Sequence, residues 1–572
     1  MFPKKKRKRQ NPLSGSSDNG FFVSAHLMPL AQGDVSPERI HRMEDQDVFI
    51  YDTTLRDGTQ GEKINLSAEE KIRIARRLDE IGFHYIEGGW PGSNPKDARF
   101  FEIAKGIPFR NARMTAFGST RKPGIRPEAC KNLRTLLAAE TPAVAIFGKS
   151  WDLHVTEILE IPLEENLAMI RESIAYLKTR GKEVIFDAEH FFDGYRLNPA
   201  YALETLKTAA DAGADRIVLC DTNGGTMPHV LTAAVHAAFA AVPGIRFGIH
   251  AHNDCGLAVA NTIAAVHAGA IMVQGTVNGY GERCGNADLI SVIGNLQLKM
   301  GRKCLPEASM AQLTNLSYYV SEVANVRPLP FRPFVGASAF AHKGGIHVNA
   351  VTKNPQAYEH IRPEQVGNRQ RVLVSDLAGK STIDRKALEL GVDLKGKGDV
   401  SRKIVKEIKR LEDEGFQFDA ADGSLSLLMK KITGAFDEPF TLECFSVTNG
   451  KTRNNPPVCQ ATIKISVGSD VELTAAEGNG PVNALDNALR KALAKFYPQI
   501  SEMNLVDFKV RIVEGSEGTA ARVKVLLDSR DGEEMWSTIG VSENIIEASW
   551  QALVDSIQYK LSKDHLNKNN PA

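Results

Sequence analysis

The chain has 572 residues, 42% of them hydrophobic and 24% charged, with a formal net charge of +1. That length exceeds one compact domain, so two or three are expected, and the charge balance excludes a global electrostatic drive toward nucleic acid or anionic membrane. No run of about eighteen uncharged apolar residues is present to span a bilayer, and seven scattered cysteines without a CxxC pair read as reduced thiols of a cytoplasmic chain.

The first segment in chain order is basic, "PKKKRKRQ", and runs into the turn-rich "NPLSGSSDNG". It lacks the apolar core of a secretory signal. Such basic runs can act as nuclear-import or nucleic-acid patches, but nothing later in the chain supports nucleic-acid work. Residues 1–45 therefore read as a solvated, disordered tail.

From residue 46 to 310, short apolar runs alternate with amphipathic helical patterns, which predicts a parallel sheet. The strand candidates are "VFIYDTT", "HYIEGGW", "ARMTAFG", "AVAIFGK", "EVIFDAEH", "RIVLCDT", "RFGIHAH" and "MVQGTVN". After the first strand, Ser67 with Glu70 forms a capping-box signature, and Gly82 marks the helix end. A TIM (β/α)8 barrel accommodates this pattern, and its chemistry sits at the C-terminal ends of the strands. Those ends carry Arg56, Asp57, Glu87, Lys149, Glu189, Asp221, Thr222, His250 and His252.

Residues 311–425 read as helical, loop-rich linker subdomains, with "RPLPFRPFVG" as a stiff connector and "DVSRKIVKEIKRLEDEGFQF" as a helix ending at Gly415. Residues 426–563 hold a weak internal repeat, each copy read as two strands, a turn and an amphipathic helix. This duplicated α+β module lacks a cluster of catalytic side chains, which suits regulation better than chemistry. Residues 564–572 read as a flexible tail.

"GIHAHND" places His250 and His252 two apart at a strand end, where period-two geometry puts both side chains on one side. Two imidazoles with the Asp57 carboxylate make a facial set that leaves positions open on a divalent ion, and Asn286 in "GYGERCGNADL" can add an amide oxygen. Such a site would polarise a chelated α-keto acid, with Arg56 balancing the charge that grows on its oxygen. The same motifs also fit a metal hydrolase or a non-haem iron oxygenase. Glu282 and Arg283 read as an ion pair holding the last barrel loop.

Three separated motifs, "DTTLRDGTQ", "HAHND" and "NGYGERCGN", together resemble the acetyl-CoA-dependent synthases of the DRE-type metallolyase superfamily. These include 2-isopropylmalate, homocitrate and citramalate synthases, with hydroxymethylglutaryl-CoA lyase as a relative running in reverse. The resemblance covers about residues 46–560 and includes the linker motif "AFAHKGGIH". Within the family, "IEGGWPGSNPKDARFF" and "DAEHFFDGY" are most similar to the long-form citramalate group. Isopropylmalate synthases tend to carry phenylalanine where Trp90 stands. Trp90 then either fills the space a branched keto acid needs or packs beneath the barrel mouth.

The resemblance implies that Asp57, His250 and His252 hold Mg2+, Mn2+ or Zn2+, with Asn286 as a nearby fourth group. Arg56 would orient the keto acid and stabilise the developing alkoxide, and Thr222 would either bind the substrate carboxylate or cap the following helix. Glu189 would take a proton from the acetyl methyl, unless it is a structural partner of His190 or Arg196. His347, more than His342, would serve the thioester, delivered by the linker across a homodimer interface. The implied reaction joins acetyl-CoA to pyruvate and releases (R)-citramalate and CoA, a step toward isoleucine. Isoleucine would act as effector at the "EGNGPVNAL" turn, through Gly478 and Gly480. The alternative is 2-isopropylmalate synthesis from 2-oxoisovalerate, with leucine as regulator.

Overall fold

The computed structural model describes residues 47–569 except 395–396, 452, 454–456, 514–519 and 533. The basic tail expected over residues 1–45 lies outside the described residues. Eight strands follow in order: β1 (Phe49–Asp52), β2 (Tyr85–Gly89), β3 (Arg113–Ser119), β4 (Ala143–Lys149), β5 (Glu183–Glu189), β6 (Arg216–Asp221), β7 (Arg246–Ala251) and β8 (Met272–Gly275). They close into a parallel barrel in sequence order, and β1 pairs with β8 to seal it.

These strands are near-continuous apolar runs because both faces are buried. Tyr51, Tyr85, Phe117, Ile185, Val218 and Met272 fill the barrel interior. Ile50, Ile86, Val144, Phe186 and Ile249 point outward into the layer shared with the helices. The helix Ala68–Ile81 shows how local sequence sets these units. Ser67 Oγ accepts from Glu70 N while Glu70 reaches back to Ser67 N at 2.8 Å, and Gly82 ends the helix at φ 100°. A Cβ at Gly82 would sit 2.7 Å from Pro306, so glycine is required there on two counts.

After the barrel, β9 (Ala341–His342) pairs with β10 (Arg371–Val372), and the helices Lys380–Glu389, Gly398–Asp413 and Asp422–Thr433 enclose a core of Ile383, Ile404, Ile408, Leu425 and Met429. Gly415, the expected stop, has φ 104° just beyond the helix Gly398–Asp413.

The C-terminal region is duplicated, but each copy has one more strand than the sequence pattern predicts. The first is β11 (Thr441–Gly450), β12 (Val458–Val467) and β13 (Asp470–Gly478), followed by the helix Pro481–Leu493. The second is β14 (Asn504–Ile512), β15 (Val523–Arg530) and β16 (Met535–Ser542), followed by the helix Ile545–Asn569. The added strands, β11 and β14, are sheet edges with mostly exposed side chains, so they lack the clean apolar alternation that marks a strand. The last helix continues to Asn569, into the segment expected as a tail. Among the described residues no helix is long and apolar enough to cross a membrane, and all seven cysteines are free.

Candidate active site

A cleft of about 420 Å3 opens at the C-terminal ends of the strands, lined by Arg56, Asp57, Trp90, Phe117, Phe147, Asp187, Glu189, Thr222, His250 and His252. The barrel brings these side chains together because they lie in or just after the C-terminal halves of seven neighbouring strands, β1 to β7. Asp57 comes from the turn after β1, and His250 and His252 from the end of β7.

At its floor the Asp57 Oδ2 lies 3.4 Å from His250 Nε2 and 3.9 Å from His252 Nε2, and the two Nε2 atoms are 3.3 Å apart. All three residues are buried. His250 Nδ1 sits 3.0 Å from Gln274 Oε1, and the Gln274 amide donates to Asp187 Oδ1 at 3.1 Å. A proton held on Nδ1 by Gln274 leaves the Nε2 lone pair facing Asp57 and His252.

Two nitrogen lone pairs and a carboxylate converging in a buried site are a poor arrangement by themselves. Asp57 Oδ1 is buried without a hydrogen-bond partner, as is Oδ1 of Asn286, whose backbone bridges to His252. A divalent cation satisfies the converging donor atoms of Asp57, His250 and His252. The residues present therefore fit such an ion.

The charge field supports the same geometry. Burial opposes ionisation of Asp57, but the Arg56 guanidinium outweighs it and holds the carboxyl far below the usual range. Burial pulls His252 down to about 4, so its imidazole is neutral and able to donate a lone pair. Burial and the charge of Glu87 push Asp187 up to about 7.

Arg56 is fixed from three sides. Its Nε donates to Glu87 Oε1 at 2.5 Å, its Nη1 lies 3.2 Å from Asp57 Oδ2, and its guanidinium stacks 3.8 Å over the Phe117 ring. Glu87 is fully buried and also accepts from Thr53 Oγ1 at 2.6 Å and from the Tyr51 hydroxyl. Above it, Trp90 donates its indole N–H to Asn132 Oδ1 at 2.7 Å and meets Phe117 and Phe147 edge-on at 6.0 and 5.7 Å. The indole therefore lines the cleft instead of lying beneath it.

Glu189 pairs with Lys149 at 2.5 Å, not with His190 or Arg196, because β4 and β5 place these two chain positions side by side. Thr222 Oγ1 accepts from His190 N at 2.9 Å and so supports a residue held at φ 57°, instead of capping the next helix. Arg283 forks onto Asp254 at 2.7 and 2.9 Å, with Glu282 more distant at 3.6 Å. The bidentate carboxylate from the β7 loop outcompetes the sequence neighbour. Two expected residues stand apart from the cleft. His347 is exposed in the helix Gly345–Lys353 and stacks on Tyr358 at 4.3 Å, while His342 pairs with Glu359 at 3.2 Å.

Residues 47–320 match the HMGL-like family, 334–416 the homocitrate synthase post-HMGL domain-like family, and 419–561 the LeuA allosteric (dimerisation) domain. The chain is 53% identical to the (R)-citramalate synthase of Aquifex aeolicus, over 90% of this chain and 98% of that protein. The chain belongs to the (R)-citramalate synthase family. It is also 53% identical to the Geobacter sulfurreducens (R)-citramalate synthase, over 90% of this chain and 98% of that protein. For the Synechocystis enzyme of the same name the identity is 51%, over 90% and 96%.

Three groups at this family site went unassigned in the sequence: Glu87 as the anchor of Arg56, and Gln274 with Asp187 as the support of His250. A polar residue inside a strand was the available signal for all three. The C-terminal glycines do not line the cleft. A Cβ at Gly478 would meet Ala484 N at 2.3 Å, so the end of β13 packs backbone-to-backbone on the following helix, whereas Gly480 is extended at its N-cap with open space around it.

Proposed function

We propose that this chain condenses acetyl-CoA with pyruvate and hydrolyses the thioester, giving (R)-citramalate and CoA. The observation that carries this reading is the buried Asp57–His250–His252 group beside the clamped Arg56, under an aromatic wall of Trp90, Phe117 and Phe147. A bound Mg2+, Mn2+ or Zn2+ supplies Lewis-acid polarisation of the ketone.

The chain's own residues supply the rest. Arg56 spends its Nε on Glu87 and keeps guanidinium N–H groups for the oxygen that becomes an alkoxide. Glu189 takes a proton from the acetyl methyl, and the carbanion character so created attacks the keto carbon. Thr222 borders the substrate carboxylate. Trp90 closes the space beyond the pyruvate methyl. His347, too remote within one chain, acts at the thioester of a second copy, where it activates the water that releases CoA. Dimerisation through the C-terminal domain suits the exposed Leu473, Val506 and Ile512 on its strands. Isoleucine acts at the turn of Gly478 and Gly480, and the enzyme works in the cytoplasm.

The second reading, 2-isopropylmalate synthesis, needs room for an isopropyl group, and the Trp90–Phe117–Phe147 wall opposes it. Thiol release measured with pyruvate and with 2-oxoisovalerate separates the two. Preference for pyruvate is expected, and preference for the branched acid overturns the reading.

A further inference from the structure

The helix Ala68–Ile81 buries Ala68, Lys71, Ile72, Ala75 and Leu78, the spacing of a core-facing stripe, and one member of that stripe is a lysine. Lys71 is fully buried. Its Nζ donates to Asp97 Oδ1 at 2.5 Å and to the Gly88 carbonyl at 3.2 Å. Asp97 is 5% exposed, in the first turn of the helix Pro95–Ala104, and its Oδ2 accepts from Trp90 N at 2.9 Å. The ion pair therefore brackets the end of β2, with Lys71 on the carbonyl before Gly89 and Asp97 on the amide after it.

The strand is irregular at this point. Glu87 aligns with Thr115 of β3 and Gly89 with Ala116, which leaves Gly88 as a bulged residue. Gly89 has φ 148°, and a Cβ on it would lie 2.5 Å from Asp97 Cγ, so the carboxylate rests directly on the backbone. Charge is costly in such a place. Burial pulls the Lys71 ammonium below its ordinary value against the attraction of Asp97, and an apolar pair of similar volume often holds a core equally well. An apolar pair cannot offer a donor to Gly88 O and an acceptor to Trp90 N.

We propose that the Lys71–Asp97 pair is a positioning device for keto-acid selectivity, fixing the backbone of Gly88–Trp90 so that the indole stands where a branched side chain would extend. The indole is tied at its far end to Asn132 Oδ1 at 2.7 Å, so backbone and ring are each held by one polar partner. Lys71 is not among the residues that line the cleft. Asp97 reaches the cleft, but one of its oxygens is engaged by Lys71 and the other by Trp90 N, so the pair acts through Trp90. The inference rests on the reading of Trp90 as the wall that favours pyruvate.

The experiment measures thiol release with pyruvate and with 2-oxoisovalerate, and a melting curve, for the full-length parent, Lys71→Met/Asp97→Leu, Asp97→Asn and Trp90→Ala. The double variant leaves no buried charge alone and should melt close to the parent. Its ratio of kcat/KM should nevertheless shift toward 2-oxoisovalerate by about tenfold or more, the scale of one methylene in a pocket. A pair that only held the core would be repaired by the apolar replacement in both readouts. Asp97→Asn keeps the shape of the side chain, should shift the ratio in the same direction, and is judged by the same criterion if the double variant does not fold. A folded variant of the pair that keeps the parent ratio, while Trp90→Ala shifts it, overturns this proposal and leaves the reading of Trp90 standing. A ratio unchanged in Trp90→Ala overturns both.

Discussion

Replacing Glu87 with glutamine tests how Arg56 is held. The carboxylate is fully buried and receives donors from Arg56, Thr53 and Tyr51. Glutamine keeps the shape but offers a single acceptor oxygen, and its amide turns two N–H donors toward groups that are themselves donors. Arg56 loses a charge-assisted bond of about 1.5–3 kcal/mol. Its nearest remaining carboxylate is Asp57 at 3.2 Å, so the guanidinium is drawn toward the metal-ligand group and away from the keto-acid oxygen. If that energy is expressed in the transition state, kcat/KM for pyruvate falls about 10- to 100-fold. On the proposed role of Arg56 the loss should fall mainly on kcat, because an alkoxide charge develops only during reaction. The assay is thiol release over a pyruvate series, with a melting curve to establish that the variant is folded. A folded Glu87→Gln enzyme within twofold of the parent kcat would refute the argument that Glu87 positions Arg56.

Other perturbations read other parts of the site. Trp90→Ala removes the indole that meets Phe117 and Phe147, and should shift the ratio of kcat/KM toward 2-oxoisovalerate by about tenfold or more, measured on the two keto acids in parallel. Gln274→Met frees His250 Nδ1 and should weaken metal affinity by about 10- to 100-fold in a metal titration of the chelated enzyme, with pyruvate saturating. Gly478→Val forces a side chain into Ala484 N, and should lower the melting temperature measured by calorimetry.

Much of the fold was legible because it follows from local rules. The eight barrel strands are buried on both faces, so each reads as an apolar run, and the capping box at Ser67 and Glu70 is a pattern of spacing alone. The His250–His252 pair was visible for the same reason, since period two places both on one side. The remaining features depend on register between strands distant in sequence. Lys149 meets Glu189 because β4 and β5 align them, and Glu87 meets Arg56 across β1 and β2; no local pattern encodes either contact. Edge strands β11 and β14 escaped because exposure removes the apolar period. His347 matched a motif, but its exposed place beside Tyr358 is a property of the linker's packing.

The central claim is that one cation held by Asp57, His250 and His252 activates the keto acid. The most direct measurement strips the enzyme with chelator, adds Mn2+ back stepwise and records thiol release from acetyl-CoA and pyruvate, for the parent and for His250→Ala/His252→Ala. The account predicts that chelation abolishes turnover, that metal restores the parent, and that the variant stays inactive at the same metal concentrations. Turnover that persists in the stripped parent, or a variant restored as readily as the parent, would contradict it.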